Sequence, residues 1–154
     1  MLKIIQAKSS SELNCIRELF KEYTDSLGFD LAFQNFEKEF AELPGKYASP
    51  DGQLLLGLED GVVVGCVALR KFDEGICEMK RLYFQPEFRG KGYGQALAKK
   101  IIDIAREIGY QYMRLDTVPN MIEAITLYSS MGFNKIKPYR FNPIKGALYF
   151  ELKL

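Results

Sequence analysis

Glu78-Met-Lys-Arg-Leu-Tyr-Phe-Gln-Pro-Glu-Phe-Arg-Gly-Lys-Gly-Tyr-Gly-Gln-Ala-Leu97 is the stretch whose reading decides the fold. Its beginning closes an apolar run from Ile76 to about Gln85 that predicts a strand, and Pro86 stops it because proline cannot donate to a strand ladder. Gly90, Gly92 and Gly94 then alternate through a turn that opens into a helix from about Gly92 to Ile108. Leu97, Ile101, Ile104, Ala105 and Ile108 recur on one face of that helix, and Gly109 suits its C-terminal cap. Residues without a Cβ let a ligand approach the backbone, and the free N–H groups of a helix start point at negative charge. The turn is therefore an anion site, and a pyrophosphate is its natural occupant. It is neither the dinucleotide fingerprint G-x-G-x-x-G nor the Walker loop G-x-x-x-x-G-K-[ST], because Gly90-Lys-Gly-Tyr-Gly-Gln satisfies neither spacing.

Upstream of this stretch, Gln53 to Glu59 and Val62 to Arg70 are apolar, β-branched runs joined by Asp60-Gly61, a strong hairpin signal. Asp73-Glu74-Gly75 makes the next turn, so three strands form a meander. Leu2 to Ala7 reads as a first strand, and Ser9 with Glu12 forms a capping box for a helix with Leu13, Ile16, Leu19, Phe20, Tyr23 and Leu27 on one side, ended by Gly28. A second helical stretch runs from about Leu31 to Leu43, with Phe33, Phe36 and Phe40 at core spacing, before a loop at Pro44-Gly45 and Ser49-Pro50-Asp51-Gly52. Downstream, Gln111 to Thr117 is a strand, Asn120 with Glu123 is a second capping box, and the helix it opens ends at Met131-Gly132. Phe133 to Lys137 and Ala147 to Leu154 are the last strands. The order β-α-α-β-β-β-α-β-α-β-β predicts an α/β chain with a mixed sheet of about seven strands, helices on both faces, and a single domain over residues 1–154.

Bulk properties narrow the chemistry. With 47% apolar and 27% charged residues the chain is an ordinary globular one, and a net charge of +1 gives no support to nucleic acid as a partner. The absence of His removes Ser-His and Cys-His pairs and the common zinc constellations, so no metal is expected and acid-base work falls to Glu, Asp, Tyr, Lys or Cys. Cys15, Cys66 and Cys77 lack the spacing of a disulfide or zinc frame, and packing residues are the expectation for them. The opening MLKIIQAKSS is too short in apolar residues for a signal peptide, and no segment reads as a membrane span, so a cytoplasmic location is expected.

The run Arg89-Gly-Lys-Gly92-Tyr-Gly94 is R-x-x-G-x-G, and with a strand ending at Pro86 it closely resembles the signature of the GCN5-related N-acetyltransferase family. Asn120 through Phe133, with a tyrosine followed by a Gly-Phe pair, resembles that family's later helix, and the element order is also the family's. The resemblance is weakest between Leu27 and Gln53. It implies acetyl-CoA as cosubstrate and an acetyl group moved to a primary amine. By resemblance, Arg89 and the backbone from Gly90 through Lys91, Gly92, Tyr93 and Gly94 to Gln95 cradle the pyrophosphate, while Leu82, Tyr83 and Phe84 lend main-chain groups to the pantetheine arm. The N–H of Leu82 is then the expected oxyanion donor.

The reaction needs a base for an alkylammonium of pKa about 10.4 and a proton donor for a departing thiolate. Glu78 aligns with the base of histone-type members, and its other reading is an ion-pair partner for Lys80 or Arg81. Tyr128 matches the family's proton donor, and its other reading is a core aromatic beside Ile125 and Leu127. Asn120 either approaches the cofactor or caps its helix. The family's acceptor groove corresponds to about Ser26 to Phe33 and Pro138 to Gly146, where Asp25 and Asp30 suit a cation and Arg140 suits a carboxylate or phosphate. A small or amino-acid-like amine is the expected acceptor, and a homodimer is left open. The competing functions are a non-catalytic acyl-CoA-binding module and a protein N-acetyltransferase of the same fold.

Overall fold

Asp60 and Gly61, at φ 50° and 81°, turn β2 (Gln53–Glu59) back onto β3 (Val62–Asp73). A two-residue turn with both φ positive matches the right-handed twist of the flanking strands, so the sequence of this hairpin accounts for its shape. β4 (Ile76–Phe84) continues the meander, and its pairing to Asp73↔Ile76 carries β3 beyond the expected end at Arg70. The structure, a computed structural model, describes residues 1–27 and 36–154. With β1 (Leu2–Gln6), β5 (Tyr112–Thr117), β6 (Asn134–Ile136) and β7 (Leu148–Lys153) the sheet has seven strands in the order β1-β2-β3-β4-β5-β7-β6.

Among the described residues, four α-helices cover this sheet on its two faces. α1 (Ser10–Leu27) opens with the expected capping box: Glu12 N–H donates to Ser9 Oγ at 3.2 Å, and Ser9 N–H donates back to Glu12 Oε1 at 3.0 Å. Its Ile16, Leu19 and Phe20 bury against Leu54, Leu56, Cys66 and Ala68, each such side chain contributing about 1.5–3 kcal/mol relative to exposure. α2 (Phe36–Glu42) comes next, while the expected start of this helix at Leu31, Phe33, and Gly28 as the stop of α1, lie outside the described residues. α3 (Tyr93–Ile108) packs Leu97, Ala98, Ile101, Ile102 and Ala105 on the other face, with Tyr128 of α4 (Ile122–Ser130) in the same core. Ile108, expected in that stripe, is exposed, and Ile102 is buried instead. Gly109 ends α3 at φ 110°, with the N–H of Gly109 and of Tyr110 both reaching Ala105 O.

Two of the irregularities in the central strands bear on the site. β4 and β5 are parallel neighbours at only three positions, ending at Glu78↔Arg114, and beyond them β4 stays with β3 while β5 stays with β7. The two strands therefore part like an opened seam. The β3–β4 register also passes from Cys66↔Tyr83 to Ala68↔Lys80, so Arg81 and Leu82 together oppose Val67 in a bulge, with Arg81 at φ 60°. A non-glycine residue held there is strained, and such strain concentrates at functional sites.

Candidate active site

The glycine turn has the backbone its alternation implies. Gly90 and Gly92 are both at φ 80°, a conformation that L side chains rarely adopt, and Gly92 is the N-cap of α3. Gly94 is the first-turn residue without a Cβ, and one built there would stand 3.7 Å from Leu127 Cδ2. The opening N–H groups of α3 have no intrahelical acceptor and supply an anion site.

From this turn a cavity of about 580 Å³ runs along the parted edge of β4 to α4. Of the residues expected to hold the cofactor, Leu82, Tyr83, Phe84, Arg89, Gly90, Gly92, Tyr93, Gly94 and Asn120 border it. Two do not. Lys91 is drawn away to Glu59 at 3.1 Å, and Gln95 is an exposed residue outside the lining. Arg89 Nε donates to Phe84 O at 2.8 Å while its guanidinium lies 5.4 Å from the Tyr83 ring, so this arginine braces the turn against the end of β4. The capping box expected at Asn120 and Glu123 is absent. Met121 is the N-cap of α4 without a side-chain bond, because a turn closed by Met121 N–H on Val118 O places Asn120 before the helix and on the cavity wall.

A smaller pocket of about 40 Å³ adjoins the cavity and shares Leu82 and Met121 with it. Lys80, Arg81, Asp116, Thr117 and Tyr128 border it. Tyr128 packs as a core aromatic, its ring 5.7 Å from Phe133 and 6.4 Å from Phe150, and the residue also lines the inner pocket. Burial raises its phenol far above the ordinary range, so it stays protonated as a proton donor must. Burial first, and then Arg81, push the Lys80 ammonium down to about 7 against the upward pull of Glu78. Four successive β4 residues, Met79 to Leu82, line this pocket, the last two of them from the bulge.

Glu78 is fully buried, and both of its oxygens are occupied. Arg70 Nε donates to Oε1 at 2.9 Å, Tyr139 Oη donates to Oε2 at 2.8 Å, and Arg140 Nη2 lies 2.7 Å and 2.6 Å from the two oxygens. Burial pushes this carboxyl up, but Lys80, Arg140, Arg70 and the Tyr139 hydroxyl outweigh it and hold it below the usual carboxylate range. A carboxylate so held has little tendency to take a proton at neutral pH, which weighs against the expected base. Its ion-pair reading stands, with the expected Lys80 joined by Arg70 and Arg140, which were not foreseen. Arg140 likewise is turned onto Glu78 rather than open to an acceptor, because a buried carboxylate draws the guanidinium inward. Its Nε is buried with no partner among the described residues. Cys66 and Cys77 are buried, and burial raises Cys66 strongly and pushes Cys77 up to about 12, so neither is a thiolate nucleophile.

Sequence reasoning missed Arg70 and Tyr139 as partners of Glu78, and Asp116 on the inner pocket. One available signal was the presence of Glu78, Lys80 and Arg81 in a strand that is otherwise apolar and aromatic.

The acetyltransferase (GNAT) family matches residues 14–133. The chain belongs to this family. As a GNAT member it is an acyltransferase. It is 39% identical to an uncharacterized N-acetyltransferase of Schizosaccharomyces pombe over 99% of this chain and 95% of that protein. An acetyltransferase of Streptococcus agalactiae shares the fold with a TM-score of 0.82 at 21% identity, over 99% of this chain and 98% of that one. A Salmonella typhimurium acetyltransferase, solved with acetyl-CoA, superimposes with a TM-score of 0.69 at 22% identity, over 99% and 93% of the two chains.

Proposed function

We propose that this GNAT protein transfers the acetyl group of acetyl-CoA to the primary amine of a small, amino-acid-like acceptor, by direct attack in a ternary complex. The observation that carries the reading is the parted β4–β5 seam, with the glycine turn at one end of its cavity and the polar pocket of Tyr128 at the other. Bound acetyl-CoA supplies an activated acyl carbon. The N–H groups around Gly90 and Gly92 hold its pyrophosphate, and the edge of β4 at Leu82 to Phe84 offers main-chain groups to the pantetheine arm. The bulge releases Leu82 from regular pairing, so its N–H serves the thioester carbonyl.

The acceptor ammonium loses its proton to water in the inner pocket rather than to the ion-paired Glu78. The free amine forms the C–N bond and its nitrogen gives up a further proton to water, the C–S bond breaks, and Tyr128 gives its proton to the thiolate before taking one back from solvent. Lys80 and Arg81 on β4 with Asp116 on β5 complement an acceptor that carries both signs of charge. Calorimetry with acetyl-CoA tests the binding half. Wild type binds one equivalent and Gly92→Asp does not, whereas absence of binding by wild type would remove the reading.

A further inference from the structure

Residues 137–147, between β6 and β7, form an irregular segment, yet their first side chains are anchored in the protein interior. Phe141 is 77% exposed, whereas the neighbouring Tyr139 and Arg140 reach Glu78 at 2.8 Å and 2.6 Å. The Tyr139 ring stands edge-on to Phe72 at 5.0 Å and to Tyr149 at 5.3 Å, and the Arg140 guanidinium lies 5.6 Å from Phe72. Tyr149 Oη donates to Arg140 O at 3.0 Å. Two residues further on, Asn142 Nδ2 donates at 3.3 Å to Asp116, which borders the inner pocket. The segment thus crosses the closed end of the β4–β5 seam and is fastened at both strands, with Glu78 as its charged anchor.

We propose that Glu78 is a positioning residue: a buried anion that clips residues 137–147, through Arg140 and Tyr139, over the acceptor end of the cavity. This rests on the proposed reading of the inner pocket as the acceptor site. Glu78 meets Arg70 from β3, Arg140 and Tyr139 from the segment, and Lys80 from its own strand. Neutralising it leaves two partly buried guanidinium groups without their counter-charge, and the one that can leave is Arg140, because Arg70 is held in the paired body of β3. Loss of Glu78 therefore releases the segment, and its effect on turnover passes through acceptor binding.

Amide hydrogen exchange on the full chain tests this without any acceptor. In Glu78→Gln the amides of 137–147 exchange roughly tenfold or more faster than in wild type, while those of α3 are unchanged. Arg140→Gln loosens the same amides, and the double variant is no looser than the looser single one, because both remove one contact. In kinetics with putrescine, L-aspartate and a lysine-containing peptide as the amine panel, Glu78→Gln raises the acceptor KM. It leaves acetyl-CoA affinity within about twofold and does not move the ascending pH limb. Unchanged exchange at 137–147 in Glu78→Gln overturns the proposal. So does a kcat loss that is recovered at alkaline pH and multiplies with that of Arg140→Gln, the signature of a base. Should Glu78→Gln fail to fold, Tyr139→Phe removes a single donor and carries the same test, with wild-type protection of the segment as the refuting result. A wild type that turns over no amine of the panel while its variants loosen the segment would sink the proposed function and leave the clip in place.

Discussion

Tyr128 packs in the core and, on the proposed function, also supplies a proton, and the two roles are separable by a single oxygen. Tyr128→Phe keeps the ring against Phe133 and Phe150 and removes only the proton donor. Turnover falls about ten- to a hundredfold in a released-thiol assay while acetyl-CoA affinity by calorimetry is unchanged. Glu78 carries a different prediction. Its carboxyl lies below the usual range in the folded chain, so it binds a proton less readily there than in the unfolded chain. It therefore contributes stability that is whole above the unfolded pKa and lost as pH falls through the folded one. The Tm gap between wild type and Glu78→Gln is level from neutrality to about pH 5 and narrows below about pH 4, measured by thermal denaturation. The sequence shows Glu78 as the conspicuous carboxylate of its strand. It does not show that Arg70 and Arg140, 8 and 62 positions away, converge on it, because an ion pair across strands depends on register and on a loop path.

The glycine turn and α3 form the element that was most legible, since each glycine there answers a distinct physical demand. Gly92 is required by its φ of 80°, whereas Gly94 is helical and a Cβ on it meets the protein only at ordinary contact distance. Gly94→Ala therefore keeps or slightly raises Tm while weakening acetyl-CoA binding, and Gly92→Ala lowers both, as calorimetry beside thermal denaturation will show. Equal binding by Gly94→Ala and wild type would mean that the ligand backbone does not pass there. The cap of α1 was equally readable, and Ser9→Ala costs about 1 kcal/mol in urea denaturation. At Asn120 the same pattern misled, because Val118 and Pro119 close a turn that uses up the position before α4. The bulge at Arg81 had no sequence signal at all. Arginine at φ 60° is held by surrounding packing and by Glu39 at 2.9 Å, a partner from another element.

Over the whole molecule, the two helical layers meet through one sheet, and the sheet tolerates little added volume where its faces are tightest. A Cβ at Gly65 would fall 2.4 Å from the Phe84 ring, so Gly65→Ala displaces the end of β4 that borders the cavity. It lowers stability by about 1–3 kcal/mol in denaturant unfolding and weakens acetyl-CoA binding with it. Element order was legible throughout because hairpin turns, caps and periodicity are local, and the structure reproduces it strand for strand. Where β4 and β5 part was not legible, since the register of strands well separated in the sequence carries no local signal. The cavity and everything proposed for it depend on that parting. The most direct measurement is thiol release from acetyl-CoA by wild type, with and without a panel of small primary amines, and with the products identified by mass spectrometry. The expected release depends on an amine and yields its N-acetyl derivative, and it is abolished with Gly92→Asp and slowed with Tyr128→Phe. Acetyl-CoA binding with no amine-dependent release, for small amines and peptides alike, would contradict the proposed function and leave a module that binds acyl-CoA without catalysis.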